Sequence, residues 1–139
     1  MERTKKVLVV EDSPVQAQAL ERVLERRGME VLWAVNGKVG LAMACEHLPD
    51  VVVLDVEMPE MNGFEMCRAL KQNPATQAIP VVMLTVRAEA EYVLEGLDLG
   101  AIDFIPKDVF STQVLLETLV ELHILDDIYA VANESQESR

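Results

Sequence analysis

Five short apolar runs alternate along the chain with longer segments whose apolar residues recur at helical spacing. We predict these runs, at residues 6–10, 30–35, 51–54, 80–84 and 104–105, to be strands. Several are too uniformly apolar for a sheet with one face in water, which indicates a parallel sheet covered on both faces. Five repeats of strand then helix predict an open, doubly wound α/β fold.

The predicted helices begin and end at residues suited to those positions. Ser13 can cap the first helix, with Pro14 at its opening position and Gly28 after its end. Asn62, followed three residues later by Glu65, resembles a capping box. We also expect Asn36 to start the second helix, Gly100 to close the fourth and Ser111 to cap the fifth.

Length and charge narrow the classes of function. The 139 residues suit one domain, and the net charge of −12 opposes direct binding to nucleic acid. The apolar stretch near the N-terminus is too short for a signal peptide or a membrane-spanning helix, so we expect a cytoplasmic protein that makes no membrane contact. Cys45 and Cys67 form no CxxC motif or Cys/His cluster, which indicates reduced, small buried side chains.

Polar side chains follow four of the five predicted strands. Glu11 and Asp12 come after the first, Asp55 after the third, Thr85 after the fourth and Lys107 after the fifth. Because parallel strands joined by right-handed crossovers present their carboxyl ends on one edge of the sheet, we expect these side chains to meet there.

Three clustered carboxylates repel one another and require a cation or raised pKa values. Lys107 supplies one positive charge, and hard oxygen ligands favour Mg²⁺ as the cofactor. No Cys/His cluster supports zinc. His47 and His123 fall in helical segments away from the acids, and we interpret both as ordinary helix residues.

Four motifs, "LVVEDSP", "VLDVEMPEMNGFE", "VVMLT" and "GAIDFIPK", together resemble the receiver domain of two-component response regulators, the CheY-like family. The resemblance covers roughly residues 5–125 and implies a flavodoxin-like, five-stranded parallel sheet in the order 2-1-3-4-5 with helices on both faces. It implies that Asp55 is the phosphoacceptor, Thr85 the switch hydroxyl, Phe104 the switch aromatic and Lys107 the lysine that contacts the phosphoryl group.

The resemblance also implies the metal ligands. Mg²⁺ would be held by Asp12, by Asp55 and by the backbone carbonyl of Glu57, with Glu11 acting through water. A carboxylate can attack phosphorus to form an aspartyl phosphate, and positioning and charge neutralisation then supply most of the catalysis.

The function expected from the resemblance is a phosphorylation-activated switch in a phosphorelay. The donor would be a phosphohistidine on a sensor histidine kinase or a histidine phosphotransfer protein. The new charge would change binding of a downstream partner through the face made by the fourth helix, the fifth strand and the fifth helix. The protein would not be an enzyme beyond catalysing its own phosphorylation and dephosphorylation. The alternatives are a Mg²⁺-dependent phosphatase or phosphotransferase and an unphosphorylated scaffold receiver.

Several positions depart from the usual pattern of the family. Proline commonly follows the lysine in a cis bond there, whereas here Pro106 precedes Lys107, so a cis peptide after Lys107 is not expected. Val86 stands where the family prefers a smaller residue. By resemblance, Glu57, Val86 and Arg87 tune the phosphoryl lifetime, and we hypothesise that Glu57 and Arg87 pair across the mouth of the site and slow hydrolysis.

The C-terminal segment is more apolar than one sheet-covering helix requires. We expect a receiver domain over residues 1–125, then a C-terminal helix extension and polar tail over 126–139 with no output domain. The apolar residues near helical spacing are Leu115, Leu116, Leu119, Val120, Leu122, Ile124, Leu125, Ile128 and Val131. They are consistent with a core face and a long amphipathic end, with a homodimer contact, or with a connector helix from a longer hybrid kinase or multidomain regulator.

Overall fold

Strands and helices alternate strictly in the computed structural model, which describes residues 3–87 and 89–126. The strands are β1 (Lys6–Val10), β2 (Glu30–Ala34), β3 (Val51–Asp55), β4 (Val81–Thr85) and β5 (Asp103–Pro106). The helices are α1 (Pro14–Arg26), α2 (Gly37–His47), α3 (Gly63–Gln72), α4 (Ala90–Asp98) and α5 (Ser111–Glu121). The predicted strands are all present, and each of their ends agrees with the prediction to within one residue.

The five strands form one parallel sheet in the order β2-β1-β3-β4-β5. The predicted doubly wound fold and its strand order are therefore confirmed. The chain goes to one side of β1 to form β2 and to the other side to form β3, so the strand order reverses next to β1. In open α/β sheets, ligands bind outside the carboxyl ends of the strands at such a reversal.

Each face of the sheet has its own apolar core, because successive strand residues point to opposite faces. Leu8 and Leu54 contribute to the core that includes residues of α2, α3 and α4, whereas Val9 and Val53 contribute to the core with α1 and α5. All five residues of β3 are buried. The uniformly apolar runs of the sequence are thus explained, since both faces of the central strands lie under helices.

Three of the four predicted N-caps are confirmed. The side chains of Ser13, Asn36 and Asn62 accept hydrogen bonds from backbone N–H groups in the first turns of α1, α2 and α3. At α3 the capping box is complete, because the Asn62 side chain accepts from the Glu65 N–H at 3.0 Å and the Glu65 carboxylate accepts from the Asn62 N–H at 3.3 Å. Gly28 and Gly100 follow α1 and α4 with φ of 85° and 105°, as expected for helix ends.

Ser111 is not the cap of α5, which corrects the prediction. The helix begins at Ser111 with Phe110 in the cap position. The Ser111 hydroxyl donates instead to the backbone carbonyl of Asp108 at 3.0 Å. The Asp108 carboxylate accepts from the Phe110 N–H at 2.8 Å. Asp108 therefore organises the turn before the helix.

The apolar C-terminal segment does not form one long helix. Helix α5 ends at Glu121, and His123, with φ of 60°, turns the chain so that Leu125 returns to the core. The predictions of a continuous stripe through Leu125 and of a helical His123 are therefore wrong, because the turn packs Leu125 against the domain. Ile128, Val131 and the predicted extension over 126–139, apart from residue 126, lie outside the described residues.

The two cysteines differ in environment. Cys67 is buried in α3, as expected, whereas Cys45 is exposed on α2, so its prediction as a buried side chain is wrong. Both are free thiols.

Within residues 3–87 and 89–126, no helix combines the length and apolarity that crossing a membrane requires. Every described peptide bond is trans, including the bond after Lys107.

The capping box predicts a measurable loss of stability. Asn62→Ala removes the side-chain acceptor and should lower the free energy of unfolding by about 1 kcal/mol in a urea titration. Asn62→Ser is the matched control, because serine can accept the same hydrogen bond, and it should retain most of the stability. Equal losses in the two variants would contradict the role of the cap.

Candidate functional site

The five polar side chains predicted to meet at the carboxyl edge of the sheet do lie there. Asp55 and Thr85 are the last residues of β3 and β4, Glu11 and Asp12 directly follow β1, and Lys107 directly follows β5. Glu11, Asp12 and Asp55 each place one carboxylate oxygen within 4.8 Å of the others. The parallel sheet therefore assembles residues that are far apart in sequence into one acidic site.

Lys107 is the cation of this site. Its Nζ donates hydrogen bonds to Glu11 Oε2 at 2.8 Å, to Asp55 Oδ2 at 2.8 Å and to Gln16 Oε1 at 2.7 Å. The Lys107, Glu11 and Asp55 side chains are only 17%, 8% and 10% exposed. All three ammonium hydrogens thus have acceptors, and the ion pairs are shielded from water.

Burial and charge shift two of the titrating groups. Burial raises the pKa of Glu11, and the charge of Asp55 adds to this effect, while the hydrogen bond from Lys107 opposes it. For Lys107, burial alone would lower the pKa, but the hydrogen bonds to Asp55 and Glu11 outweigh it and the pKa is raised. Lys107 therefore stays protonated at neutral pH, while the ionised Glu11 carboxylate is disfavoured.

Backbone N–H groups orient the side chains of the site. Asp55 Oδ1 accepts from the Glu57 N–H at 3.1 Å, and Thr85 Oγ1 accepts from the Arg87 N–H at 3.1 Å. Both acceptors are buried at the ends of their strands. The β3-α3 and β4-α4 loops are thus tied directly to the two side chains that end the strands.

Glu57 and Arg87 face each other across the mouth of the site. Arg87 Nη1 lies 3.8 Å from Glu57 Oε1, and about half of each side chain is exposed. The expected pair is present, and its effect on hydrolysis stays a prediction. Val86 is 72% exposed beside it.

Phe104 lies on β5 beneath α4 and is 8% exposed. A Cβ atom built on Gly96 would come within 2.8 Å of its ring, so α4 approaches the ring closely because residue 96 is a glycine. Met83 also lies close to this position. The predicted switch aromatic therefore occupies a buried position between β5 and α4.

The sequence did not reveal three contacts around the site. Gln16 on α1 accepts from Lys107, and its position four residues after Asp12 is the signal that could have indicated it. Trp33 on β2 donates its indole N–H to the backbone carbonyl of Glu11 at 2.8 Å. Tyr92 on α4 contacts Glu57 and Arg87. Nothing in the sequence separates Trp33 and Tyr92 from ordinary packing residues.

Comparison with known proteins agrees with this architecture. The response regulator receiver domain family matches residues 7–120. The chain is 39% identical over 114 residues to the protein PilH of Pseudomonas aeruginosa, a match that covers 82% of this chain and 93% of that protein. It is 42% identical over 104 residues to the response regulator PleD of Caulobacter vibrioides, covering 75% of this chain but only 23% of that protein.

A solved structure of a receiver protein is also similar to this chain. The chemotaxis protein CheY4 of Vibrio cholerae superposes with a TM-score of 0.80 at 35% sequence identity, over 86% of this chain and 98% of that one. The family match, the strand order and the acidic edge thus agree, and the chain belongs to the response regulator receiver domain family, as a CheY-like receiver domain of two-component signalling.

Proposed function

We propose that the protein is a signalling switch that accepts a phosphoryl group on Asp55. The observation that carries this proposal is the environment of the Asp55 carboxylate. It is buried at the carboxyl edge of the sheet, one oxygen accepts from Lys107 at 2.8 Å, and the other accepts from a backbone N–H. A nucleophile held in this way needs little reorganisation before it reacts.

The residues present fit Mg²⁺ as the cofactor. Glu11, Asp12 and Asp55 place carboxylate oxygens within 4.8 Å of one another, and hard oxygen donors of this kind are the ligands that Mg²⁺ prefers. Asp12, Asp55 and the backbone carbonyl of Glu57 would hold the ion, and Glu11 would act through water. When bound, Mg²⁺ neutralises charge on the transferring phosphoryl group.

The phosphoryl donor is a phosphohistidine of a sensor histidine kinase or histidine phosphotransfer protein. His47 ends α2 and His123 follows α5, so neither histidine of the chain lies in the site. An oxygen of Asp55 forms the bond to phosphorus while the phosphorus–nitrogen bond of the donor breaks, and the imidazole leaves with the electron pair. Lys107 then holds the oxygens of the phosphoryl group.

Thr85 and Phe104 form the switch. Thr85 Oγ1 accepts from the Arg87 N–H, and a hydroxyl that accepts can also donate its own hydrogen, here to a phosphoryl oxygen. Movement of Thr85 would leave space that Phe104 can occupy, and α4 would shift with it.

The face made by α4, β5 and α5 is the surface where a downstream partner or a second copy of the chain would bind. Exposed apolar side chains on or next to α4 and β5 are Leu94, Leu97 and Ile102.

Glu57, Val86 and Arg87 set how long the phosphoryl group persists. The Glu57 and Arg87 side chains pair 3.8 Å apart and are each about half exposed, so the pair adjoins the site on its solvent side. The protein turns over no separate substrate and catalyses only its own phosphorylation and dephosphorylation. Since PleD is much longer than the match, such a switch works either alone or as one domain of a longer regulator.

Phosphorylation of Asp55 is tested by intact-mass measurement. The protein is incubated with Mg²⁺ and a small phosphodonor, either acetyl phosphate or a phosphoramidate. The wild type should gain the mass of one phosphoryl group, and Asp55→Asn should gain none, because it lacks the nucleophile. An adduct that persists in Asp55→Asn, or a wild type that reacts with none of the donors, would contradict the proposal.

Glu11→Gln should stabilise the free protein. The pKa of Glu11 is higher in the folded protein than in an unfolded chain, so this group lowers stability as pH rises through its unfolded pKa. Glutamine at position 11 carries no charge, so the variant does not lose this stability as pH rises. The Tm of Glu11→Gln should therefore exceed that of the wild type at pH 7, and the difference should shrink below about pH 4, where glutamate is protonated in both states.

The same variant should bind Mg²⁺ more weakly. Trp33 is the only tryptophan of the chain and donates to the carbonyl of Glu11, so its fluorescence can follow a Mg²⁺ titration. Glu95→Gln, at an exposed position in the middle of α4, is the matched control and should leave both Tm and Mg²⁺ binding unchanged. An unaltered Tm and Mg²⁺ affinity in Glu11→Gln would contradict this account.

A further inference from the structure

Tyr92 joins four elements around the mouth of the acidic site. It lies in the first turn of α4, where its ring and hydroxyl contact residues of the β3-α3 loop, the β4-α4 loop, α3 and β5. Packing of an amphipathic helix explains the contacts to α3 and β5. It does not explain why the same side chain also contacts both members of the Glu57 and Arg87 pair.

The guanidinium of Arg87 stacks on Tyr92. Arg87 Cζ lies 4.3 Å from the centroid of the Tyr92 ring and over its face, within the range of a cation–π contact. Its other partners are Glu57 at 3.8 Å and Glu89 at 3.5 Å. Exposed ion pairs of this kind contribute little because solvent screens them, and the stack on the ring adds a further contact to the guanidinium.

The hydroxyl of Tyr92 contacts the other member of the pair. It donates to Glu57 Oε1 at 3.4 Å. A tyrosine phenol is protonated at neutral pH, so it is a hydrogen-bond donor to this carboxylate. One side chain therefore holds both Glu57 and Arg87.

Two other aromatic rings pack against the Tyr92 ring. Phe64 of α3 lies edge-on to it with centroids 4.8 Å apart, and Phe104 of β5 lies edge-on at 6.2 Å. Edge-to-face pairs at these distances are favourable. Tyr92 thus connects the pair at the mouth to the buried aromatic that we assign to the switch.

We propose that Tyr92 is a positioning residue that holds Glu57 and Arg87 over the Asp55 site and lengthens the life of the aspartyl phosphate, an inference that rests on the proposed function. In hydrolysis, the oxygen of a water molecule bonds to phosphorus while the bond from phosphorus to the Asp55 oxygen breaks. The carboxylate and inorganic phosphate are released, and the protons of the water pass to phosphate and solvent.

The position of the Glu57 and Arg87 pair explains why it would slow hydrolysis. The attacking water must approach phosphorus opposite the Asp55 oxygen, from the solvent side of the site. The backbone N–H groups of Glu57 and Arg87 donate to the buried Asp55 and Thr85, and their half-exposed side chains pair 3.8 Å apart. The pair therefore adjoins the site on its solvent side. Releasing them by removing Tyr92 would open the path of the water.

The test measures decay of the phosphorylated protein after the donor is removed, by intact mass over time. Tyr92→Leu, or Tyr92→Met if the leucine variant does not fold, should decay roughly two- to fivefold faster than the wild type, the factor expected for loss of an exposed cation–π contact. Tyr92→Phe is the matched control, because it keeps the ring under Arg87, and its decay should be closer to that of the wild type.

A double variant separates positioning from a general loss of packing. If Tyr92 acts by holding Glu57 and Arg87, Tyr92→Leu should accelerate decay less in an Arg87→Ala background than in the wild type, because one of its two partners is already absent. Decay at the wild-type rate in Tyr92→Leu, or a further acceleration in the double variant equal to that in the single one, overturns the inference and leaves the proposed function intact. Absence of any adduct on the wild type overturns both.

Discussion

The Lys107 ammonium, placed between two buried carboxylates, is the interaction on which the site depends. Two like charges about 4 Å apart repel by about 4 kcal/mol at an effective dielectric constant of 20, and this edge of the sheet brings three carboxylates together. Lys107 offsets that repulsion with hydrogen bonds of 2.8 Å to both Glu11 and Asp55. Lys107 follows β5, and β4 lies between β5 and β3 in the sheet. The strand order and the length of the lysine side chain together allow Lys107 to reach Asp55.

The same arrangement connects the site to the surface of the domain. The β3-α3 loop donates a backbone N–H to Asp55, and the β4-α4 loop donates one to Thr85, so each loop is bound to a side chain of the site. Tyr92 contacts the side chains of those loops and also Phe104 under α4. In the proposed switch, the lifetime of the phosphoryl group and the position of α4 therefore depend on one connected set of contacts.

Much of this could be predicted from the sequence, because strong local signals specify it. Uniform apolar runs predicted the buried parallel strands, Asn62 and Glu65 predicted a capping box, and the rule that parallel strands share a carboxyl edge predicted that Asp55 and Lys107 would meet. Each of these signals lies within a few residues or follows from the connection of strands and helices.

Contacts that depend on the packing of distant elements could not be predicted in this way. The turn at His123 ends α5 early because Leu125 packs into the core, and Asp108 organises the start of α5 in place of Ser111. Tyr92 has no local signal that separates it from ordinary helix residues, since its role arises only when loops of other elements approach it.

The most direct measurement of the central claim is a crystal structure of the protein with Mg²⁺ and beryllofluoride, which mimics a phosphoryl group attached to a carboxylate. The account predicts beryllium bonded to an oxygen of Asp55, Lys107 Nζ within hydrogen-bond distance of a fluorine, and the metal on Asp12. Beryllium bonded to Glu11 or Asp12, or a Lys107 side chain turned away from the bound group, would contradict it.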